Sequence, residues 1–518
     1  MKRIALLFLA TSFIFSQSYK LKDVVLYALS KNPDVLVNKY LPVISKYQLK
    51  ASEAKFIPYV QLSGSDSENR SKSTSIFEGR KVTVLTETSN FSLSLNQNLP
   101  FGGTFSIAAN QSRFETSNEF YSLNPRYTTY FTLEYRQPIL KGFGSTVNKA
   151  EIILQRKNFQ QSIENLKASL SQIVLQVIDS YWNYIYAVQF YRVQQESLKL
   201  AKDFYEQVRS MVKVGAKPPI DLVEAEAEVA RREAELIDAQ RAIEDAKEML
   251  KRQTGLEFIE DKLELFEKPS TSPFEYDLNR LLEIARSHRP EILSALKEVE
   301  KAEINIKVKK NALKPQLDLA ISLSSTGISG DKVKYLNDNP FTGIIIGKEE
   351  GSPYDAIEEA LRAAYNRWQM SLNFSFPVKR KKEISELEAA VSEYYRVKRN
   401  LEKVRKDVEL EVKQAFREAL AAYKKIEANR KARRLAEEKL KAEQVKYSQG
   451  LSTNYLVLTY QRDLTNAKIQ ELKSLIDYNI ALYKLKKAIG SLLDDFGIII
   501  KVDENLSYDN IVQRRGTN

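Results

Sequence analysis

The sequence predicts a mixed α/β membrane protein in which strands of membrane-barrel type join helices too long for a globule. Three observations carry this. Two stretches of about 70 residues, 145–214 and 378–449, contain neither Gly nor Pro. Several shorter stretches alternate apolar and polar residues with period two, as in "RWQMSLNFSFPV". The whole arrangement occurs twice: Pro33 and Pro58 recur 257 residues later as Pro290 and Pro315, while Gly215 and Gly255 recur 235 residues later as Gly450 and Gly490. Two independent pairs at each offset mark a duplicated unit whose first copy is longer in its middle.

The N-terminus, "MKRIALLFLATSFIFSQS", has the form of a secretory signal over residues 1–18. Lys2 and Arg3 are followed by an apolar run from Ile4 to Phe15, with small Ser16 and Ser18 offering a cleavage site. No later stretch reaches the roughly 18 apolar residues of a membrane-crossing helix, so any crossing must use strands. The first repeat is expected over 19–255 and the second over 288–490, with a connecting segment at 256–287 and a C-terminal segment and tail at 491–518.

Each repeat reads in the same order. A helix comes first, about 32–57 and 288–314, and ends at Pro58 or Pro315, since a proline ring blocks further helical bonding. Strands come next, about 58–138 and 315–377. In the second repeat Leu317, Leu319, Ile321 and Leu323 share one face, as do Trp368, Met370, Leu372, Phe374 and Phe376. In the first repeat Phe91, Leu93 and Leu95 alternate with Ser92, Ser94 and Asn96, and Phe131, Leu133 and Tyr135 oppose Tyr130, Thr132 and Glu134. Such faces suit either a soluble sandwich or a membrane barrel. Aromatic-rich apolar faces and small polar ones favour the barrel, and the export signal adds to this. "NQNLPFGGTFSIAANQ" holds a turn at Gly102 and Gly103, an added barrel hairpin or a surface excursion. Four strands per chain are expected, with six as the alternative.

The long hairpin helices occupy about 145–254 and 379–489. At about 1.5 Å per residue, 70 residues make roughly 100 Å of helix, so these helices must run along one another. In the first return helix Leu222, Val229, Leu236, Ile243 and Leu250 recur every seven residues, the coiled-coil period. Ala227, Ala230 and Ala234 are expected to permit close approach, and Glu224, Glu226, Glu228, Arg231, Arg232 and Glu233 to stay wet. Leu475, Leu482 and Ile489 continue a seam in the second repeat. A few strands per chain cannot close a wide tube without open edges in lipid, so several copies must close it together as a cyclic homo-oligomer.

Composition excludes much chemistry. There is no Cys and one His, His288, which rules out disulfides, thiolate metal sites and Cys nucleophiles, and nearly rules out His-based zinc sites and triads. "FGGTF" lacks the Lys-Ser/Thr of a phosphate loop. His288 is expected to be exposed near the start of its helix. The formal charge of +12 is spread over helices of mixed sign, such as "KARRLAEEKLKAEQ", and does not form a one-signed nucleic-acid stripe. No cofactor, metal or nucleic acid is expected, and the chain is not expected to be an enzyme.

The duplicated strand–helix unit, the tip glycines, the signal peptide and the phrase "YRQPILKGFG" resemble the TolC family of outer-membrane efflux proteins over nearly the whole mature chain. The resemblance implies a homotrimer sharing a β-barrel in outer-membrane lipid, continued by a long periplasmic α-helical barrel. It implies an exit duct that meets a periplasmic adaptor and an inner-membrane transporter of the RND or ABC kind. The segments around 256–280 and 491–518 would form a belt around the tunnel's middle. The glycine breaks become the periplasmic tips, which often read Val-Gly-Leu-Ser/Thr in the family. Gly450, Leu451 and Ser452 match this, whereas Gly215 is followed by Ala216 and Lys217. These six are the adaptor-contact candidates; alternatively the glycines only make the turns. For the gate, the resemblance points to Asp221 accepting from the Tyr447 hydroxyl. Where the family's best-known member has two acidic residues after the second tip, this chain departs from it with Leu456 and Thr459, so no acidic ring is expected there, and an apolar Leu456 ring that closes by excluding water is the expectation in its place.

The competing reading is an exported structural coiled-coil envelope protein without a pore, which would have no use for aromatic alternating strands. A periplasmic adaptor would carry one hairpin and soluble β-domains. An enzyme is the remaining alternative.

Overall fold

The computed structural model describes residues 20–73, 83–118, 120–255, 267–342 and 344–500. The expected signal peptide, residues 256–266 of the connecting segment and the tail beyond 500 lie outside these residues. Two compact units are present. Of the described residues, one gathers 20–46, 158–299 and 397–500; the other gathers 47–157 and 300–396.

The second unit is built on a single antiparallel sheet. Its strands are β1 (Tyr59–Lys72), β2 (Thr83–Asn98), β3 (Thr104–Thr116), β4 (Leu123–Pro138), β5 (Gln316–Tyr335), the short β6 (Ile345–Glu349) and β7 (Tyr365–Ser375). The order is β1-β2-β3-β4-β5, with β6 and β7 both pairing with β5 at different heights. Four strands per chain is therefore too few: among the described residues six are long. The turn at Gly102 and Gly103 joins two full-length strands rather than an excursion, with Gly102 at φ 104°. A Cβ at Gly102 would lie 2.3 Å from the Gly142 carbonyl oxygen, so no larger residue fits that turn.

The alternation predicted from sequence becomes continuous rows. Val60, Leu95, Ile107, Leu133, Leu323 and Trp368 stand side by side across all six long strands on one face. The opposite face is polar and internally hydrogen bonded: Ser92 Oγ donates to Asn110 Oδ1 (2.6 Å), and Ser106 Oγ to Asn96 Oδ1 (2.7 Å). Leu323 and Trp368 are 51% and 74% exposed, so among the described residues no core packs over this row of the apolar face. Among the described residues no helix is long and apolar enough to cross a membrane.

The helices are α1 (Leu21–Lys31), α2 (Pro33–Asn38), α3 (Tyr40–Glu53), α4 (Ser145–Asn148), α5 (Ala150–Lys213), α6 (Pro219–Thr254), α7 (Leu278–His288), α8 (Pro290–Ala312), α9 (Pro353–Leu361), α10 (Lys381–Ser448), α11 (Asn454–Ile489) and α12 (Leu492–Asp495). α5 and α10 run 64 and 68 residues, about 100 Å each. The helix expected over about 32–57 is found as α2 and α3, broken at Lys39; Pro33, which has no backbone N–H to donate, separates α2 from a further helix, α1, that the sequence pattern did not place. For the same reason His288 closes α7 instead of starting α8, though it is exposed as expected.

The duplication is structural. Asn32 and Arg289 each precede the proline that opens α2 or α8. Asn32 Nδ2 donates to the Gln253 carbonyl (2.6 Å) at the end of α6, and Arg289 Nη1 to the Lys487 carbonyl (3.0 Å) at the end of α11. Gly255 and Gly490 end these two helices with φ of 71° and 83°, and a Cβ on either would press on the backbone of Lys31 or His288. One docking joint is thus made twice, from an amide in one repeat and a guanidinium in the other.

The core of the helical unit centres on Tyr181 and Trp182 of α5, packed with Leu21 and Val25 of α1, Leu250 of α6 and Leu492 of α12. Residues 270–272 lie along α11: Asn479 Oδ1 accepts from the Ser270 N–H (2.9 Å), and the Tyr478 hydroxyl donates to the Ser272 carbonyl (2.9 Å).

Candidate functional site: the two helix tips

The two helical reversals use one backbone solution. Gly215 has φ 76° and Gly450 φ 79°. The next residue reaches back over the helix end in both cases: the Ala216 N–H donates to the Met211 carbonyl and the Leu451 N–H to the Lys446 carbonyl, each 2.9 Å. This is the 6→1 bond of a Schellman ending, which needs a left-handed residue between. A Cβ on either glycine would meet nothing within 4 Å, so their requirement is conformational and not steric.

Beyond the glycines the two tips differ. α6 starts on Pro218 and Pro219 without a side-chain cap. α11 starts on Thr453, whose hydroxyl accepts from the Leu456 N–H (3.4 Å), and buried Ser452 donates to buried Glu443 Oε1 (2.5 Å). Val214, Leu451 and Tyr455 are 78%, 73% and 65% exposed, leaving an apolar rim at the tips.

The two tips share one core: Phe204, Val208, Ala225, Leu440, Tyr447, Val457, Leu458 and Leu464. Tyr447 is its polar centre. The ring packs on Phe204 at 5.2 Å between centroids, and the Lys217 ammonium sits 4.8 Å above it. Its hydroxyl donates to Asn454 Oδ1 (2.6 Å), and Asn454 Nδ2 donates to the main-chain carbonyl of Asp221 (3.0 Å). The expected direct bond from Tyr447 to the Asp221 carboxylate is therefore not made within the chain. A phenol donates once, and buried Asn454 has taken that bond. Asp221 is still tied to Tyr447, through its backbone. Burial, and then the nearby Asp221 charge, push the Tyr447 phenol up to about 12.

Asn454 was legible only as an N-terminal helix residue; nothing in the sequence said which carbonyl it would reach. Leu456 is 37% exposed, and the Thr459 hydroxyl donates to its own helix at the Tyr455 carbonyl. Neither is part of the shared core.

A second correction lies along α6. Glu228 and Arg232, expected on the wet face, are 4% and 3% exposed. Glu228 accepts from Arg232 Nε (2.9 Å) and pairs with Arg231, and Arg462 Nε approaches its other oxygen (3.3 Å). The heptad explains this. If Leu222, Val229, Leu236, Ile243 and Leu250 are a positions, then Ala225, Arg232, Ala239 and Ala246 are d positions, and Ala225 and Ala239 are buried. Ala227, Ala230 and Ala234 fall outside that seam; Ala227 is exposed.

The sequence model of the family described as "Outer membrane efflux protein" matches residues 104–256 and 281–491, both long hairpins and most of the strands. The chain belongs to the outer membrane efflux protein family. It is 24% identical over 324 residues to the outer membrane protein TolC of Escherichia coli (strain K12), an alignment covering 62% of this chain and 62% of that relative. Its fold is similar to the outer membrane channel CmeC of Campylobacter jejuni (TM-score 0.61, 16% identity, 96% and 89% of the two chains). It is also similar to VceC of Vibrio cholerae (0.63, 14%, 91% and 96%) and to the MtrE outer membrane channel of Neisseria gonorrhoeae solved in its open state (0.63, 17%, 91% and 89%). The efflux family is one of channels and not of enzymes, and its description places this member in the outer membrane.

Proposed function

We propose that this chain is the exit duct of a tripartite efflux or type I secretion system. Three copies close one barrel and passively conduct cargo delivered by a periplasmic adaptor and an inner-membrane RND or ABC pump. The trimer reading is supported by β1 and β7, which each pair on one side only among the described residues. Open edges are prohibitively costly in lipid, and three copies would close a ring of 18 long strands. The observation that carries the gating role is the Tyr447–Asn454–Asp221 connection, which fastens the second helical hairpin to the first at their tips. Opening requires the hairpins to separate, and these bonds oppose it. The residues available to an adaptor are the exposed Gly215, Ala216, Gly450 and Leu451, with Lys217 at their margin; Ser452 acts beneath them by holding Glu443. Closure at Leu456 would work by excluding water from a narrow apolar ring.

The test is single-channel conductance of the purified protein in a planar bilayer. Wild type is expected to show small steps, and Asn454→Ala larger ones from an unfastened tip. Leu456→Asp is expected to raise leakage in the closed state. Membrane insertion without conductance in all three proteins would favour the envelope spacer instead.

A further inference from the structure

The segment between β6 and β7 holds α9, a helix the sequence did not foretell, and it lies across the strands. Gln111 of β3 donates to the Pro353 carbonyl (3.5 Å) at its start. Ser325 of β5 donates to the Ala360 carbonyl (2.6 Å) near its end. A Cβ at Gly327 would come within 2.0 Å of the Ala356 carbonyl oxygen, so the helix backbone rests directly on β5 there. Gln111, Ser325 and Gly327 belong to the apolar face, the one carrying Leu133 and Leu323. β5 follows directly on α8, and with the sheet spanning the membrane as proposed, rising residue numbers along β5 lead toward the outside. α9 therefore sits at the outer margin of the apolar band, about 13 Å beyond the Leu133–Leu323 row at Gly327. Further out the same face turns polar, with Arg113 paired to Glu115.

The periodicity of α9 gives it three faces. Ala356 and Ala360, buried, meet the sheet. Glu359 accepts from the Ile328 N–H (2.7 Å), so the polar edge, which also carries Asp355 and the Glu358–Arg362 pair, turns outward. The remaining edge, Tyr354, Ile357 and Leu361, must then turn toward the apolar band, and Tyr354 and Leu361 are 79% and 68% exposed. Beneath the exit of the helix lies an open groove of about 470 Å³, walled by Ile107, Phe131, Leu133, Leu323 and Trp368 and roofed by Ala363.

We propose that α9 is an interfacial helix lying flat at the outer-leaflet boundary, and that lipid acyl chains fill the groove below it. The argument is continuity. The groove walls are part of the row of side chains that the barrel presents to the membrane, so hydrocarbon is the occupant at hand. The helix sorts its edges as an interface requires, apolar toward the chains and charged toward the headgroups. This rests on the sheet spanning the membrane.

The native chain has no Cys, so single-cysteine variants take a nitroxide at one place only. The trimer would be reconstituted in phosphatidylcholine vesicles with labels at Leu95, Leu323, Leu361 or Glu358, its assembly checked by size-exclusion chromatography. Collision with oxygen, which concentrates among acyl chains, would be compared with collision with a water-soluble nickel chelate. The expected oxygen-to-nickel ratio is several-fold higher at 95, 323 and 361 than at 358. A ratio at 361 as low as at 358, with 95 still lipid-facing, would overturn the interfacial helix. Labels at 323 or 361 shielded from both reagents would mean that a neighbouring copy covers the groove, which also overturns the proposal. A water-exposed label at 95 would instead overturn the spanning sheet itself.

Discussion

The two tips have the same backbone and different chemistry. Each reverses at a left-handed glycine with a 2.9 Å bond reaching back over the helix end. The first tip then relies on two prolines, whose fixed φ pre-sets the start of α6 without any side-chain bond. The second is fastened by Ser452, Thr453 and Asn454, each bonded to a named partner. The difference teaches which tip holds which. The second tip can keep its own shape, whereas the first is held to it from outside, at the Asp221 carbonyl through Asn454 and at Lys217 through the Tyr447 ring.

The largest effect is expected from Asn454→Ala. It strands the buried Tyr447 hydroxyl and the Asp221 carbonyl together, a loss of about 2–3 kcal/mol of local stability. Hydrogen exchange should rise at both 211–222 and 445–458. Faster exchange at the second tip alone would mean the first does not depend on it.

Alkaline pH should break the same connection without a substitution. The Tyr447 phenol is raised to about 12, above the ordinary value of 10. The neutral form is thus favoured in the folded tip; its contribution is full below pH 10 and is lost as pH climbs through about 12. The 295 nm absorbance difference between wild type and Tyr447→Phe should titrate as one phenol near 12. A midpoint near 10 would show that the ring is solvated.

Ser452→Ala comes next, at about 1–2 kcal/mol, because Glu443 is buried and loses its closest partner. It should quicken exchange at the second tip only, and an equal response at the first would remove the asymmetry. The smallest effect is the symmetric one. Gly215→Ala and Gly450→Ala should each cost about 1 kcal/mol, from φ alone, as nothing crowds either position. Matching shifts in thermal midpoint would support a shared backbone geometry, and a much larger loss at one tip would contradict it.

Much of the fold was legible from sequence because it rests on local rules. The return helices end where expected, at Thr254 and Ile489, because a left-handed glycine comes after each. The apolar rows across the sheet arise from period-two alternation, which fixes a face wherever strands pair in register. The helices before the prolines are harder to read. Pro33 and Pro290 lie beside the helix starts expected near 32 and 288, yet α1 and α7, which end just before them, are not foreseen. The site is half legible. Tyr447 and Asp221 do meet in one structure, but through Asn454, whose role depends on a carbonyl 233 residues away.

The sequence by itself determined the duplication, the long helices, the turning points and the strand faces, since each depends on residues close along the chain. Tertiary structure decided what depends on distant neighbours. Glu228 and Arg232 look like surface charges in a run of charges, and burial makes them partners. The strand count rose from four to six because only pairing shows that the Gly102–Gly103 turn joins two full strands. α9 has caps and an amphipathic pattern too short to stand alone in water, and it becomes a helix lying across the strands because Gly327 leaves room for its backbone.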